Sequence, residues 1–192
     1  MRAMADKKSG DILFPNLDLL TWKVGSYGGF LDNKKVGDVA AKLKFPVILT
    51  DKDVKWAAEN GCKYVTSKKL PSGSDYTGFV NKAGKPHGPG VRTASGQVQD
   101  GNYVNGMSNG LCLTFFPDAD GSLNEESQRY EGQELESERH GHGYFVYPNC
   151  DRYFGEWSRD KKHGQGTLTW ASGNIYTGSW ENGAMNGQGT FT

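Results

Sequence analysis

The sequence has no apolar run approaching the roughly 20 residues needed to span a bilayer. Its first apolar stretch, residues 12–20, is broken by Pro15, Asn16 and Asp18, which argues against a signal peptide. No Asn-X-Ser/Thr glycosylation acceptor occurs. Cysteine is scarce: Cys62, Cys112 and Cys150 are odd in number, far apart and without the paired spacing of zinc or redox motifs. Reduced thiols in an intracellular setting are the simple reading. An excess of one charge is also lacking, with 22 Lys+Arg against 22 Asp+Glu. The balance is uneven along the chain: residues 1–75 carry 13 basic and 9 acidic groups, a net +4, and residues 76–192 carry 9 and 13, a net −4. An acidic C-terminal region excludes the basic footprint that a nucleic-acid partner requires.

Catalytic and metal signatures are missing as well. No Gly-x-Ser-x-Gly nucleophile elbow is present, and Gly84-Lys85 runs into Pro86 without phosphate-loop spacing. His140 and His142 have no third ligand nearby and read as hairpin-turn residues, like His87 and His163. The segment from Asp118 to Glu126 has the composition of a calcium loop, but its glycine, Gly121, falls two residues too early for an EF-hand. The expectation is therefore a non-enzymatic protein with no cofactor and no metal.

What the chain does have is glycine, 27 residues of it, about twice the usual share. Glycine costs more backbone entropy on folding than any other residue, so this much needs a geometric reason. The reason is a repeat. Tyr153, Gly155, Trp157, Gly164 and Gly166 recur 23 residues on as Tyr176, Gly178, Trp180, Gly187 and Gly189. Stepping back 23 gives Tyr130, Gly132, Gly141 and Gly143. Two earlier units, starting near 76 and 99, are degenerate. Gln99 holds the tyrosine place of the second, Cys112 stands where a glycine belongs, and eight extra residues fall within 117–129.

Tyr, Gly and Trp at offsets 0, 2 and 4 lie on one face of a strand, because side chains alternate with period two. The returning Gly-x-Gly leg places bare backbone opposite the rings. Gly141, Gly143, Gly164, Gly166, Gly187 and Gly189, with Gly132, Gly155 and Gly178, are thus structural. Each unit is one hairpin that buries its rings only against its neighbours. The predicted fold is mainly β: an elongated, single-layer antiparallel meander of about five hairpins, or ten strands, with a small mixed α/β or extended N-terminal segment. At about 4.8 Å per strand it is a ribbon roughly 45–50 Å long.

This pattern, Tyr-x-Gly-x-Trp followed by a Gly-x-Gly pair at 23-residue spacing, resembles the MORN repeat over residues 76–192. The resemblance implies a scaffold within a larger protein assembly, of the kind found in ciliary axonemes (radial-spoke heads among them) and cytoskeletal structures. Such a scaffold grips a partner helix or peptide along an aromatic groove. Tyr130, Tyr147, Tyr153, Trp157, Trp170, Tyr176 and Trp180 are the candidate lining, with Phe116 equivalent to Tyr147 and Trp170. An exposed apolar groove of that kind marks a binding site. The family has also been proposed to bind membrane phospholipid, against which the net −4 of the array counts. Asp118, Asp120, Glu125, Glu126, Glu131 and Glu134 form a candidate acidic docking patch for a basic partner. The last strand, residues 187–192, presents an open edge that invites a homodimer or a partner strand.

Residues 1–75 lack the period and read as a separate segment. Residues 38–44 suit a short helix and 46–50 a strand. Thr50 suits an N-cap for a helix over 51–60 that stops at Gly61. Residues 62–66 read as a further strand, 11–31 as an extended arm and 68–74 as a linker.

Overall fold

The computed structural model describes residues 51–117 and 127–192. The expectations for residues 1–50 and the acidic residues Asp118, Asp120, Glu125 and Glu126 lie outside the described residues.

Helix α1 (Asp51–Glu59) opens with Asp51 and Asp53 in its first turn, where carboxylates favour the positive end of the helix dipole. It ends as the sequence predicts. Gly61 takes φ 64°, and the amides of Gly61 and Cys62 donate back to Ala58 and Ala57 at 3.2 and 2.8 Å. That is the paired return of a Schellman stop, satisfying carbonyls the helix leaves open.

Eleven strands follow in one sheet whose order is the order of the chain. They are β1 (Lys63–Lys69), β2 (Asp75–Val80), β3 (Pro86–Ala94), β4 (Gln97–Val104), β5 (Met107–Phe115), β6 (Arg129–Leu135), β7 (Glu138–Val146), β8 (Arg152–Ser158), β9 (Lys161–Thr169), β10 (Ile175–Glu181) and β11 (Ala184–Phe191). All neighbours are antiparallel. The meander is as predicted, with one strand more than the ten expected. Strand β1 pairs with β2 and joins the sheet ahead of the first unit. Lys68 and Lys69, read as linker, end that strand, and residues 70–74 form a tight turn closed by the Leu70 amide on the Ser74 carbonyl at 2.9 Å.

Two turn types recur. Ser95-Gly96, Asn105-Gly106, Glu136-Ser137, Arg159-Asp160 and Asn182-Gly183 each put two residues at positive φ. This is the two-residue hairpin turn whose twist matches that of the strands. The wider turns after Leu70, Asn81, Tyr147 and Trp170 close with the same amide-to-carbonyl bond at 2.9 Å.

Gly110, Gly141, Gly164 and Gly187 take positive φ beside the register shift in their hairpins. At Gly141 and Gly164 a side chain one strand away holds the kink. Gln133 accepts from the His142 amide and Glu156 from the Gln165 amide, both at 2.8 Å. These two acceptors lie 23 residues apart, so the period extends to the hydrogen bonds.

Candidate interaction face

The aromatic core lies on one face of the sheet, while Val91, Val98, Leu113, Phe115 and Val146 are buried on the other. A row of glycines crosses the aromatic face in register: Gly78, Gly90 and Gly101, then Cys112, then Gly132, Gly143, Gly155, Gly166, Gly178 and Gly189. A tyrosine lies across each hairpin's glycine pair. A Cβ on Gly155 would meet the Tyr153 hydroxyl at 2.6 Å, and one on Gly166 would meet the same ring at 2.6 Å. The ring needs bare backbone beneath it. Its hydroxyl then donates to the carbonyl three residues on, from Tyr76 to Phe79, Tyr130 to Gln133, Tyr153 to Glu156 and Tyr176 to Ser179, at 2.6–3.3 Å. Tyrosine is thus anchored at both ends, the ring by burial and the hydroxyl by a hydrogen bond.

The tryptophans complete a ladder. Trp157 meets Tyr130 and Tyr153 edge-on at 5.8 and 5.1 Å, and Trp180 meets Tyr153 and Tyr176 at 5.3 and 5.4 Å. Each indole donates to the glycine carbonyl 14 residues earlier, Trp157 to Gly143 and Trp180 to Gly166. A cation caps each tryptophan. Arg139 lies 4.5 Å above Trp157, and Lys162, 23 residues later, lies 4.2 Å above Trp180. Burial pushes the Lys162 ammonium below its usual pKa.

Those contacts revise the candidate groove. Tyr130, Tyr153, Trp157, Tyr176 and Trp180 are all buried, so they fill the trough with one another and do not line an open one. What remains accessible is the rim. Phe116, Tyr147 and Trp170 are half-buried against that core, and Phe191, which stacks on Trp170 at 5.1 Å, is 60% exposed. The described part of the acidic patch needs the same correction. Glu131 and Glu134 are buried: Glu131 accepts from Arg129 at 2.8 Å, and Glu134 sits inside the core face. Buried carboxylates survive only where hydrogen bonds or cations hold them, and neither presents a charged docking surface.

The ladder has one interruption, in the second and third units. Glu134 holds the position that Trp157 and Trp180 hold later. Gln99 holds the tyrosine position, and its amide bridges the gap, donating to Glu134 at 3.0 Å and to Thr114 at 3.2 Å. Its carbonyl accepts from Arg92 at 2.8 Å and Tyr103 at 3.2 Å. Glu134 also accepts from the Ser108 hydroxyl. Burial raises the Glu134 carboxyl above its ordinary pKa, against the opposing pull of those donors. Cys112 now has a physical account. With no tyrosine ring above it, the space beside Gly101 takes the Cys112 side chain, whose sulfur would lie 2.6 Å from a Cβ at Gly101. A cysteine in the glycine row thus coincides with a glutamine in the tyrosine place.

On the second face, α1 covers the first unit. Trp56 stacks on His87 at 5.6 Å and fills the space that a side chain at Gly88 would need. Desolvation there lowers the His87 pKa. Farther along, the same face carries exposed Phe154 and Ile175.

Comparison with known families decides what this ladder is. The MORN repeat profile matches residues 82–98, 100–120, 130–151, 153–175 and 176–192, which together span just over half of the chain. The chain belongs to the MORN repeat family. The last three MORN segments begin at the tyrosines that set the period, and the first two begin at 82 and 100, where the units are degenerate. No match emerges from a comparison with curated proteins. MORN repeats are non-enzymatic repeat modules that suggest a protein-interaction or membrane-binding role. Among the described residues, no helix is long and apolar enough to cross a membrane.

Proposed function

We propose that this MORN array is a non-enzymatic scaffold in a larger protein assembly, in a cilium or the cytoskeleton, and that it grips a partner helix or peptide along its aromatic rim. The supporting observation is the row Phe116, Tyr147 and Trp170, with Phe191 at its end, left half-covered beside a filled core. A rigid ladder beneath fixes their spacing, so a partner binds without the sheet reorganising. The ciliary or cytoskeletal setting rests on the kind of assembly in which such arrays occur.

Capture of partners by the full chain tests this, comparing wild type with Tyr147→Ala/Trp170→Ala. These two side chains lie outside the buried ladder, so the variant keeps its fold, verified by circular dichroism. Loss of the captured proteins is expected, and capture equal to wild type sinks the reading. Retention of the protein on anionic vesicles, with no captured protein, favours phospholipid tethering instead.

Strand β11 offers a second contact. All eight of its residues are exposed, and Met185 and Phe191 stand on the core face with no further strand beside them among the described residues. Edge pairing with a second copy or a partner strand accounts for that surface. Light scattering on the 192-residue chain and a form lacking residues 187–192 reads it. A monomeric mass in both removes the homodimer.

A further inference from the structure

One row of the core face holds a clue in its register. Reading across the sheet from β2 to β11, the facing residues are Tyr76, Arg92, Gln99, Thr114, Tyr130, Phe145, Tyr153, Leu168, Tyr176 and Phe191. Seven are aromatic or aliphatic. Three consecutive strands, β3 to β5, carry Arg, Gln and Thr. An open depression of about 390 Å³ begins over these three strands and runs past Phe116 and Tyr130 to Glu134, Arg139 and Asp160. A smaller hollow adjoins it and shares Arg92, Gln97, Gln99 and Thr114. The size falls in the range of about 300–1,000 Å³ typical of ligand sites.

Packing alone does not explain this polar stretch, because apolar residues serve the same row on both sides and polar groups cost free energy to bury. The charges around it are unequal in their availability. Arg139 is taken: its guanidinium donates to the Asp160 carboxylate at 2.8 Å and to the Asp160 carbonyl at 3.1 Å. Glu134 is taken too, by Gln99 and Ser108. Arg92 is different. Its guanidinium stands 5.6 Å from the Tyr103 ring centre and gives Nη2 to Gln99 at 2.8 Å, with no carboxylate in ion-pair range among the described residues. It is oriented and left with donors to spare. A planar guanidinium with free donors matches a carboxylate in two parallel hydrogen bonds.

We infer that the depression over Arg92, Gln97 and Thr114 receives a glutamate or aspartate side chain from an acidic segment of a partner protein. The Arg92 fork takes the carboxylate, the Gln97 and Thr114 side chains supply neutral hydrogen bonds, and Phe116 carries the methylene stem. This rests on the protein-interaction reading and names the chemistry of one contact within it. It also reverses the polarity suggested by the acidic insertion: the groove selects an acidic partner at this point.

The test is a nuclear magnetic resonance titration of the full chain with N-acetyl-glutamate methylamide. The neutral N-acetyl-glutamine methylamide and inorganic phosphate serve as comparisons. The Arg92 Nε–H signal, identified by its loss in Arg92→Lys, is expected to move with the glutamate probe and to stay with the glutamine probe. Arg92→Lys keeps the charge but loses the fork, and binding read from the Thr114 amide falls about tenfold. Lys161→Gln, exposed at the start of β9, leaves it unchanged. No Arg92 movement at about 0.1 M probe, where a site of ~10 mM affinity is nearly filled, overturns the assignment. So does equal movement with both amides, or tighter binding of phosphate at the same signals. Partner capture through Tyr147 and Trp170 is read separately, so the scaffold reading stands or falls on its own measurement.

Discussion

The Gln99 amide donates to the Glu134 carboxyl at 3.0 Å, where the later junctions place a tyrosine ring edge-on to a tryptophan. The array therefore keeps its unit-to-unit link at this junction while changing its chemistry from ring contact to hydrogen bond. Such a link is costly to break on one side, because the abandoned donors stay desolvated. Glu134→Ala strips the acceptor from both Gln99 and Ser108 and opens a void. A loss of about 2–4 kcal/mol is expected, from the unsatisfied donors and the cavity together. Glu134→Gln retains shape and one acceptor and loses less than half as much. Urea denaturation at constant slope measures both, and equal losses for the two variants contradict the account.

The glycines divide into two kinds, and a pair of alanine substitutions separates them. Gly166 lies beneath the buried Tyr153 ring, which a Cβ would approach to 2.6 Å. That ring is held by its own hydroxyl bond and by Trp157 and Trp180, so it has nowhere to go. Gly173 has φ 93° with nothing within 4 Å of its Cβ position. Only backbone strain opposes a side chain there, about 1–2 kcal/mol. Gly166→Ala is expected to cost roughly 3 kcal/mol or more, since the neighbouring strands must shift. Thermal melts of the two variants decide; a Gly173→Ala penalty equal to or above that of Gly166→Ala rejects the steric argument.

The regular units were legible because one period wrote every constraint at once: ring, bare glycine, tryptophan and turn. Tyr130, Tyr153 and Tyr176 repeat the same glycine contacts and hydroxyl bond because they repeat the same offsets. Burial was the harder inference. Aromatic side chains at period two read equally well as an open groove or as a closed ladder, and only the T-shaped meeting of Tyr153 with Trp157 and Trp180 distinguishes them. Glu134 reads as a surface residue in the sequence for a related reason. Surrounded by Glu131, Glu136 and Glu138, it looked like one charge among several on a solvated strand. Its offset of four from Tyr130, the tryptophan place, was the signal that it faces the core. The row of Arg92 is not legible in the sequence, because the first unit runs one residue late; the observed pairing with Tyr76 and Gln99 assigns it. Lys68 and Lys69 read as linker in the sequence because lysines beside Pro71, Ser72 and Gly73 look like turn chemistry, and the bulged pairing of β1 with β2 has no counterpart in the repeat.

The coincidence of Gln99 with Cys112 carries its own prediction. Cys112→Gly alone empties the space beside Gly101, and Gln99→Tyr alone drives a ring into the Cys112 sulfur. The double variant restores the arrangement of the other units, a ring above paired glycines. Changes common to both backgrounds, such as the loss of the Gln99 bond to Glu134, cancel in a double-mutant cycle. A favourable coupling of about 1–3 kcal/mol is expected for residues in direct contact. Denaturation of all four proteins supplies the cycle, and additivity within about 0.5 kcal/mol means that the two departures are unrelated.

Acid titration of stability tests the second face. Asp100 stands in register between Val91 and Leu113, both buried, and desolvation raises its pKa from 3.8 to about 6. Between those values the folded protein holds a proton that the unfolded chain has released. Stability therefore falls as pH rises from about 4 to about 6, and the loss is complete at neutral pH. Asp100→Asn removes the ionisation while keeping the size of the side chain. Relative to wild type it gains roughly 2–3 kcal/mol at pH 7, at 1.36 kcal/mol per pKa unit, and the gain vanishes towards pH 4. The raised carboxyl of Glu134 adds a slope of the same sign to both proteins and drops out of the difference. Urea midpoints measured from pH 4 to 7 give the comparison. A difference that does not change with pH means that Asp100 is ionised in the folded state throughout and that its apolar neighbours do not govern it.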